Sequence, residues 1–308
     1  MFLRLVPVTT SINFLSKRKI CVAISVVLLA LTIVGLFAKG LNYGIDFSGG
    51  TLVEIKTEDK PNIADLRTAL NDGVAIQEYG APDEFLIRVP TNKDAKSDDI
   101  TKNIVSSLSA VTPNLEVRRV EFVGPQVGAE LRKTGMLALL FSMIAILAYI
   151  SMRFEFRYAV GAVAALAHDV FLTVGIFILL QKEVSLPVLA ALLTIIGYSL
   201  NDTIVVFDRV RETRLKNPKK VMEKILNLSI NDMLNRTLMT SLTTIVVLLA
   251  LFLFGGEVIH DFAFTLIFGV IVGTYSSVYI AAPVVLAMEE YYQKMAKEAE
   301  EETIGFRG

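Results

Sequence analysis

Six apolar runs divide the chain, near residues 20–38, 135–152, 158–180, 186–207, 238–255 and 262–288. Each is long enough to cross a hydrocarbon layer of about 30 Å at 1.5 Å per helical residue. They predict a polytopic α-helical membrane protein. The expected division has tails at 1–19 and 289–308 and helices at 20–38, 134–152, 157–180, 186–207, 237–255 and 262–288. A polar insert fills 39–133, and a polar loop fills 208–236. The first run follows "SKRK", as the core of a signal peptide does. Its 19 apolar residues exceed a usual signal core and no A-x-A cleavage pattern follows, so it reads as a retained helix.

Inside the insert the period changes. "TLVEIKT" (51–57) alternates and predicts a strand. "NIADLRTALNDG" (62–73) puts Ile63, Leu66 and Leu70 on one helical stripe, with Gly73 as a stop. "AIQEY" (75–79) and "EFLIRVP" (84–90) read as strands around a Gly-Ala-Pro turn. "SDDITKNIVSSLSA" (97–110) reads as a helix with Ser97 as N-cap and acids in its first turn. "LEVRRVEFVG" (115–124) is a last alternating strand. The order β-α-β-β-α-β predicts an α+β ferredoxin-like domain between the first two membrane helices. At about 75 residues it buries only a modest core. It holds no His, no Cys and no paired acid–base set, so it reads as a binding or scaffolding domain.

Two glycine-bearing stretches join insert and membrane. "NYGIDFSGGTLVEI" (42–55) carries Gly44, Gly49 and Gly50, which permit turns and close packing. It reads as a turn into the first strand. It is no phosphate loop, because neither Lys nor Thr stands at Walker spacing and no helix opens there. With Gly40, Gly124 and Gly128, these glycines mark 39–50 and 125–134 as hinge-like connectors.

Charge placement sets an orientation. Lys17, Arg18 and Lys19 precede the first run, Arg153 and Arg157 separate the second and third, and six basic residues from Arg209 to Lys220 follow the fourth. The short loops "QKEVSL" and "GGEVIHDF" are poor in Lys and Arg. The positive-inside rule therefore places both termini in the cytoplasm and the insert outside. Composition agrees with a membrane class: 53% of residues are hydrophobic and 20% charged. The net charge of −1 and the lack of a basic block argue against nucleic acid. Cys21 is the sole cysteine and lies in an apolar run, so it reads as a small hydrophobe, and no metal-ligand spacing exists.

Ionisable residues within membrane runs are costly and mark function. Asp202 lies in "GYSLNDTIVVFDRVRE", about 24 Å from Leu186 by helical rise, flanked by Asn201 and Thr203. A proton-carrying role is preferred over a structural ion pair, because protonation removes the desolvation cost of a lone buried carboxylate. Arg236 opens the fifth helix at a similar depth, with Thr240 and Thr244 on the same stripe. It either pairs with Asp202 or snorkels to the cytoplasm. His168 and Asp169 sit near the midplane of the third helix. They suit a relay or a structural contact between helices, and adjacency points them to different faces. Asp208, Arg209, Arg211 and Glu212 read as a solvated anchor. Residues 217–234 read as an amphipathic helix on the inner membrane face. Gly269 and Gly273, with Ser276 and Ser277 nearby, read as close helix packing that needs no chemistry.

The motifs "GIDFSGGT", "HDV", "GYSLNDTIVVFDRVRE", "NRTLMTSLTT" and "GTYSSVYIAAPV" carry a resemblance. Over residues 42–284 the chain resembles the SecD/SecF family of bacterial protein-export membrane proteins, on its SecF side. The short insert separates it from SecD, which carries a larger outer region. The resemblance implies one six-helix half of a resistance-nodulation-division bundle in the bacterial inner membrane, with SecD as the other half. It implies work with SecYEG, SecA and unfolded preprotein, driven by the proton-motive force late in translocation, with no cofactor and no enzymatic step. It implies that Asp202 and Arg236 serve proton movement, and it carries less to Asp169. Two other readings stand beside it: an exporter half for small molecules or lipids, and a passive scaffold for SecD. The insert is short for the paired porter domains of such exporters.

Overall fold

The structure is a computed structural model, which describes residues 10–58, 61–70, 74–79, 81–90 and 97–305. A 3₁₀ turn at Leu15–Lys17 leads into α1 (Arg18–Ala38), a two-residue strand β1 (Asn42–Tyr43) and one helical turn, α2 (Ile45–Ser48). The insert follows as β2 (Gly50–Thr57), α3 (Ile63–Ala69), β3 (Ala75–Tyr79), β4 (Ala81–Val89), α4 (Ser97–Leu108) and β5 (Leu115–Val123). Then come α5 (Pro125–Arg153), α6 (Phe156–Leu180), the short strand β6 (Glu183–Val184), α7 (Leu186–Lys216) and α8 (Met222–Phe254). The last rod is α9 (Glu257–Ser276), a π turn (Ser277–Ala281) and α10 (Ala282–Gly305). Six helices, counting this rod as one, are long and apolar enough to cross a membrane.

The bundle is built around α6 and α7. Small residues on α6, Ala159, Gly161, Ala162 and Ala165, are buried and let neighbours approach closely. The main core gathers where the ends of α6, α7, α8 and α10 meet the N-terminal 3₁₀ turn. Leu15, Tyr158, Phe207, Leu226 and Val285 lie in it, and the Tyr158 and Phe207 rings are 5.2 Å apart. A second cluster, Leu192, Ile195, Leu248, Leu266 and Val270, ties α7 to α8 and α9. The apolar side chains of α1 and α5 mostly face outward.

The insert is an antiparallel four-stranded sheet in the order β3-β4-β2-β5. Along β2, Thr51, Val53, Ile55 and Thr57 are buried, while Leu52, Glu54 and Lys56 take the other face, as a period of two requires. Leu66 of α3, with Ile104 and Leu108 of α4, packs on Val53, Ile55, Phe85 and Ile87. Leu86 points to the helix-free face and is nonetheless buried. That face stands over the first turn of α7, where Leu186 and Pro187 share a cavity with Leu52 and Leu86.

Several element boundaries differ from the expectation. The connector expected at 125–134 is helical from Pro125 onward. Only Gly124 keeps an extended backbone, and Gly128 is buried in the first turns of α5. The connector at 39–50 is also ordered, by β1 and α2. Ala81 and Pro82 belong to β4 rather than to a turn; Gly73 and Gly80, and the side chain of Ser97, lie outside the described residues. The expected loop 208–236 is mostly helix. α7 runs to Lys216, a turn covers 217–221, and α8 starts at Met222. Residues 217–234 are therefore no separate surface helix. No Gly or Pro interrupts 222–254, so the helix continues, and Met222, Ile225, Leu226, Ser229 and Ile230 bury against the bundle. For the same reason Arg236 lies well inside α8 rather than at its start. The tail expected at 289–308 continues α10 as far as Gly305.

Candidate functional site

Helices α7 and α8 form an antiparallel hairpin, and polar residues mark its contact line. At one level Tyr198 donates to the Thr244 hydroxyl at 3.2 Å. One turn along, Asp202 faces Thr240 and lies in the field of Arg236. Further along, Arg209 bonds Asp232 at 2.7 and 2.9 Å and Glu212 at 2.6 Å. Of the cluster expected at the helix exit, Arg209 and Glu212 are engaged in this way. Tyr198 and Asp202 are four residues apart on α7, as Thr240 and Thr244 are on α8, so each pair shares a face.

Asp202 is 5% exposed, Thr240 half-buried, and Arg236 and Asn201 exposed. The carboxylate is thus enclosed by its own chain while the arginine beside it opens outward. Among the described residues the two do not close into an ion pair within 4.0 Å. The Thr240 hydroxyl also reaches the carbonyls of Arg236 at 3.1 Å and Thr237 at 2.9 Å. A hydroxyl has one proton to donate, so Asp202 competes with two helix carbonyls for it.

A second polar centre lies where α1, α6, α7 and α9 meet. His168 and Asp169 were expected on different faces of α6. Instead Nδ1 of His168 contacts Oδ1 of Asp169 at 3.0 Å, because both side chains lean into the same interhelical gap. Nε2 of His168 lies 3.1 Å from the Ser25 hydroxyl. Asp169 is fully buried and accepts from Ser199 at 2.6 Å and Ser276 at 2.8 Å. The Tyr275 hydroxyl bonds Ser25 at 3.2 Å and the Cys21 carbonyl at 2.9 Å, and its ring stacks on His168. Ser276 thus does more than pack. Ser25 and Tyr275 were not anticipated: a serine or tyrosine in a membrane helix gives no signal until the tertiary fold supplies its partner. Gly273 is part of the same arrangement, since a Cβ there would stand 3.0 Å from Ser199.

The glycine-bearing segment 44–50 takes shape as a tight turn. Gly49 and Gly50 hold φ of 74° and 145°, which favour glycine. The chemistry available to these sites is proton exchange and hydrogen bonding. Among the described residues no group of three or more His, Cys, Asp or Glu is placed to hold a metal.

Comparison with known proteins fits this architecture. The model of the protein export membrane protein SecD/SecF C-terminal family matches residues 103–291, and that of the SecD/SecF GG motif matches 34–60. The protein translocase subunit SecF of Magnetococcus marinus is 50% identical over 304 residues, covering 96% of this chain and 97% of its own. That of Calditerrivibrio nitroreducens is 48% identical, covering 92% and 96%. The crystal structure of SecDF from Thermus thermophilus, described as a translocon-associated membrane protein, superposes with a TM-score of 0.84 at 37% identity. It matches 93% of this chain, which spans 40% of the SecDF chain's length. Six membrane-spanning helices, an inserted α/β unit and these matches together place the chain in the SecD/SecF family of protein-export membrane proteins.

Proposed function

We propose that this chain is the SecF-type half of a SecD–SecF complex in the bacterial inner membrane, and that it uses the proton-motive force to promote late preprotein translocation. Its relatives are named as SecF subunits of the protein translocase, and SecDF structures carry a second, larger part that this chain lacks. SecD supplies that part, and SecYEG, SecA and emerging preprotein are the wider partners. The basic residues from Arg209 to Lys220 put that end, with both termini, in the cytoplasm. The insert then lies outside. Its sheet order and β-α-β-β-α-β succession support a ferredoxin-like assignment.

The observation that carries the reading is the half-open α7–α8 site. A buried carboxylate short of partners escapes its desolvation cost by taking a proton. Asp202 is that group, and the outward Arg236 gives a SecD carboxylate or water chain a place to complete the path. In the proposed cycle a proton arriving from outside neutralises Asp202. Its attraction to Arg236 lapses, Thr240 returns to its own helix carbonyls, and α7 and α8 repack. One charge crossing 100 mV supplies about 2.3 kcal/mol, enough to bias a two-state bundle. No covalent step is needed.

The test is Asp202→Asn as the only copy in cells, with assembly with SecD checked in parallel. Proton-dependent export should fall to background while the complex still assembles. Normal export would make the carboxylate a packing feature and the chain a scaffold.

A further inference from the structure

The segment "GIDFSGG" (44–50) is explained neither by the proton site nor by the fold of the insert. It lies between two partners. On one side is the loop joining α6 to α7. β1 pairs in parallel with β6, setting Asn42 beside Glu183 and Tyr43 beside Val184. The Asn42 side-chain amide donates to the Gln181 carbonyl at 3.0 Å, and the Gly44 N–H to the Val184 carbonyl at 2.9 Å. Gly44 leaves room for Glu183, whose Oε1 would stand 2.5 Å from any Cβ. Asp46 then accepts from the Leu186 N–H at 2.8 Å. Ser185, the N-cap residue of α7, makes no side-chain cap of its own. The cap is supplied by Asp46, and its negative charge suits the positive end of the helix dipole.

On the other side is α5. A Cβ on Gly128 would stand 2.9 Å from the Gly49 nitrogen and 3.2 Å from Phe47, so α2 sits on the first turns of α5. The domain closes the contact from above. Arg88 of β4 pairs with Glu183. Lys182 pairs with Asp261 of α9 at 2.5 Å. One short loop thus touches the insert, the GIDFSGG segment and α9. It also opens the helix that carries Asp202.

We infer that the GIDFSGG segment, with Arg88 and the 181–186 loop, is a clasp that fastens the insert to the head of α7, so that helix and domain move as one body. This rests on the proposed proton site and assigns the residues that carry its output. Asp46 and Glu183 are positioning residues; they take no part in proton transfer at Asp202. A motion of α7 is delivered to the sheet through the Asp46 cap and the Glu183–Arg88 pair. The two covalent links to α1 and α5 complete the attachment.

Two variants of the complex with SecD test this in proton-loaded membrane vesicles. Asp46→Ala with Glu183→Gln opens the clasp. Export should fall several-fold while proton uptake stays at the parent level, and Asp46→Asn, which keeps an acceptor, should restore much of the export. In a Cys21→Ser background, Tyr43→Cys with Val184→Cys joins two paired strand residues within disulfide reach. If the clasp stays shut through the cycle, the oxidised form exports as well as the reduced form. Loss of export on oxidation overturns the inference, as does full export from the opened variant. Equal loss of uptake and export in that variant also overturns it, by reducing the contacts to a fold requirement. If the opened variant does not assemble, the disulfide form decides alone. Asp202→Asn runs alongside: retained proton uptake there removes the proton site and leaves the clasp result standing by itself.

Discussion

Asp169 and Asp202 share a bundle and keep different company. Asp169 has two hydroxyl donors at 2.6 and 2.8 Å and an imidazole, which suits a settled group that holds four helices in register. Asp202 has one contested hydroxyl and an arginine that looks outward. Depth along the helix made Asp202, Arg236 and Thr240 legible in the sequence. The partners of Asp169 were not, because they come from three other helices. Glu183 adds a third kind of carboxyl, outside the membrane runs. Burial holds it above its ordinary range against the attraction of Arg88, and Asp46 and Asp261 add to the rise. Separating the insert from the bundle returns it to water and to its ordinary value. The closed form then binds the proton more tightly, so acidification through the window between the two values favours closure, and rising pH through it favours opening. Spin-label distances between the insert and α9 should show the separated population growing with pH across that window. Glu183→Gln should flatten the curve; an opposite slope would refute the assignment.

Helices announced themselves by length and hydropathy, and their ends did not. The hydropathy of α8 drops near Asn235, which imitates a loop boundary, yet the chain there offers no residue that breaks a helix. The stripe Ile225, Leu226, Ser229 and Ile230 was visible as amphipathic, but its partner was misjudged as lipid rather than the bundle. Where a sequence signal was steric, it transferred well. Gly269 was read as a close-packing position, and a Cβ there would run into Ile195 of α7. Gly269→Val should cost about 1–3 kcal/mol by overpacking. Differential scanning of the purified chain should show a lowered melting temperature, and adding Ile195→Ala should recover part of it. No recovery would mean that α7 and α9 do not meet there.

At the scale of the whole molecule, the last rod works at two places at once. On the insert side of its π turn, Ser276 donates to Asp169. On the far side, buried Glu289 pairs with Arg157 of α6 and, at 3.5 Å, with Arg214 of α7. A π turn holds one residue more than an α turn, and each residue advances a regular helix by about 100°. Removing one residue, for instance Val278, would restore the regular helix and swing everything after it round by that angle. Glu289 would leave its two arginines, at a cost of about 3–5 kcal/mol for breaking a buried pair. Glu289→Ala should therefore lower the melting temperature of the parent and add nothing to the deletion variant. The surplus residue acts as a phase correction. It lets a single continuous rod keep one appointment among hydroxyls and another among charges, thirteen positions apart, which an unbroken α-helix would have put out of step.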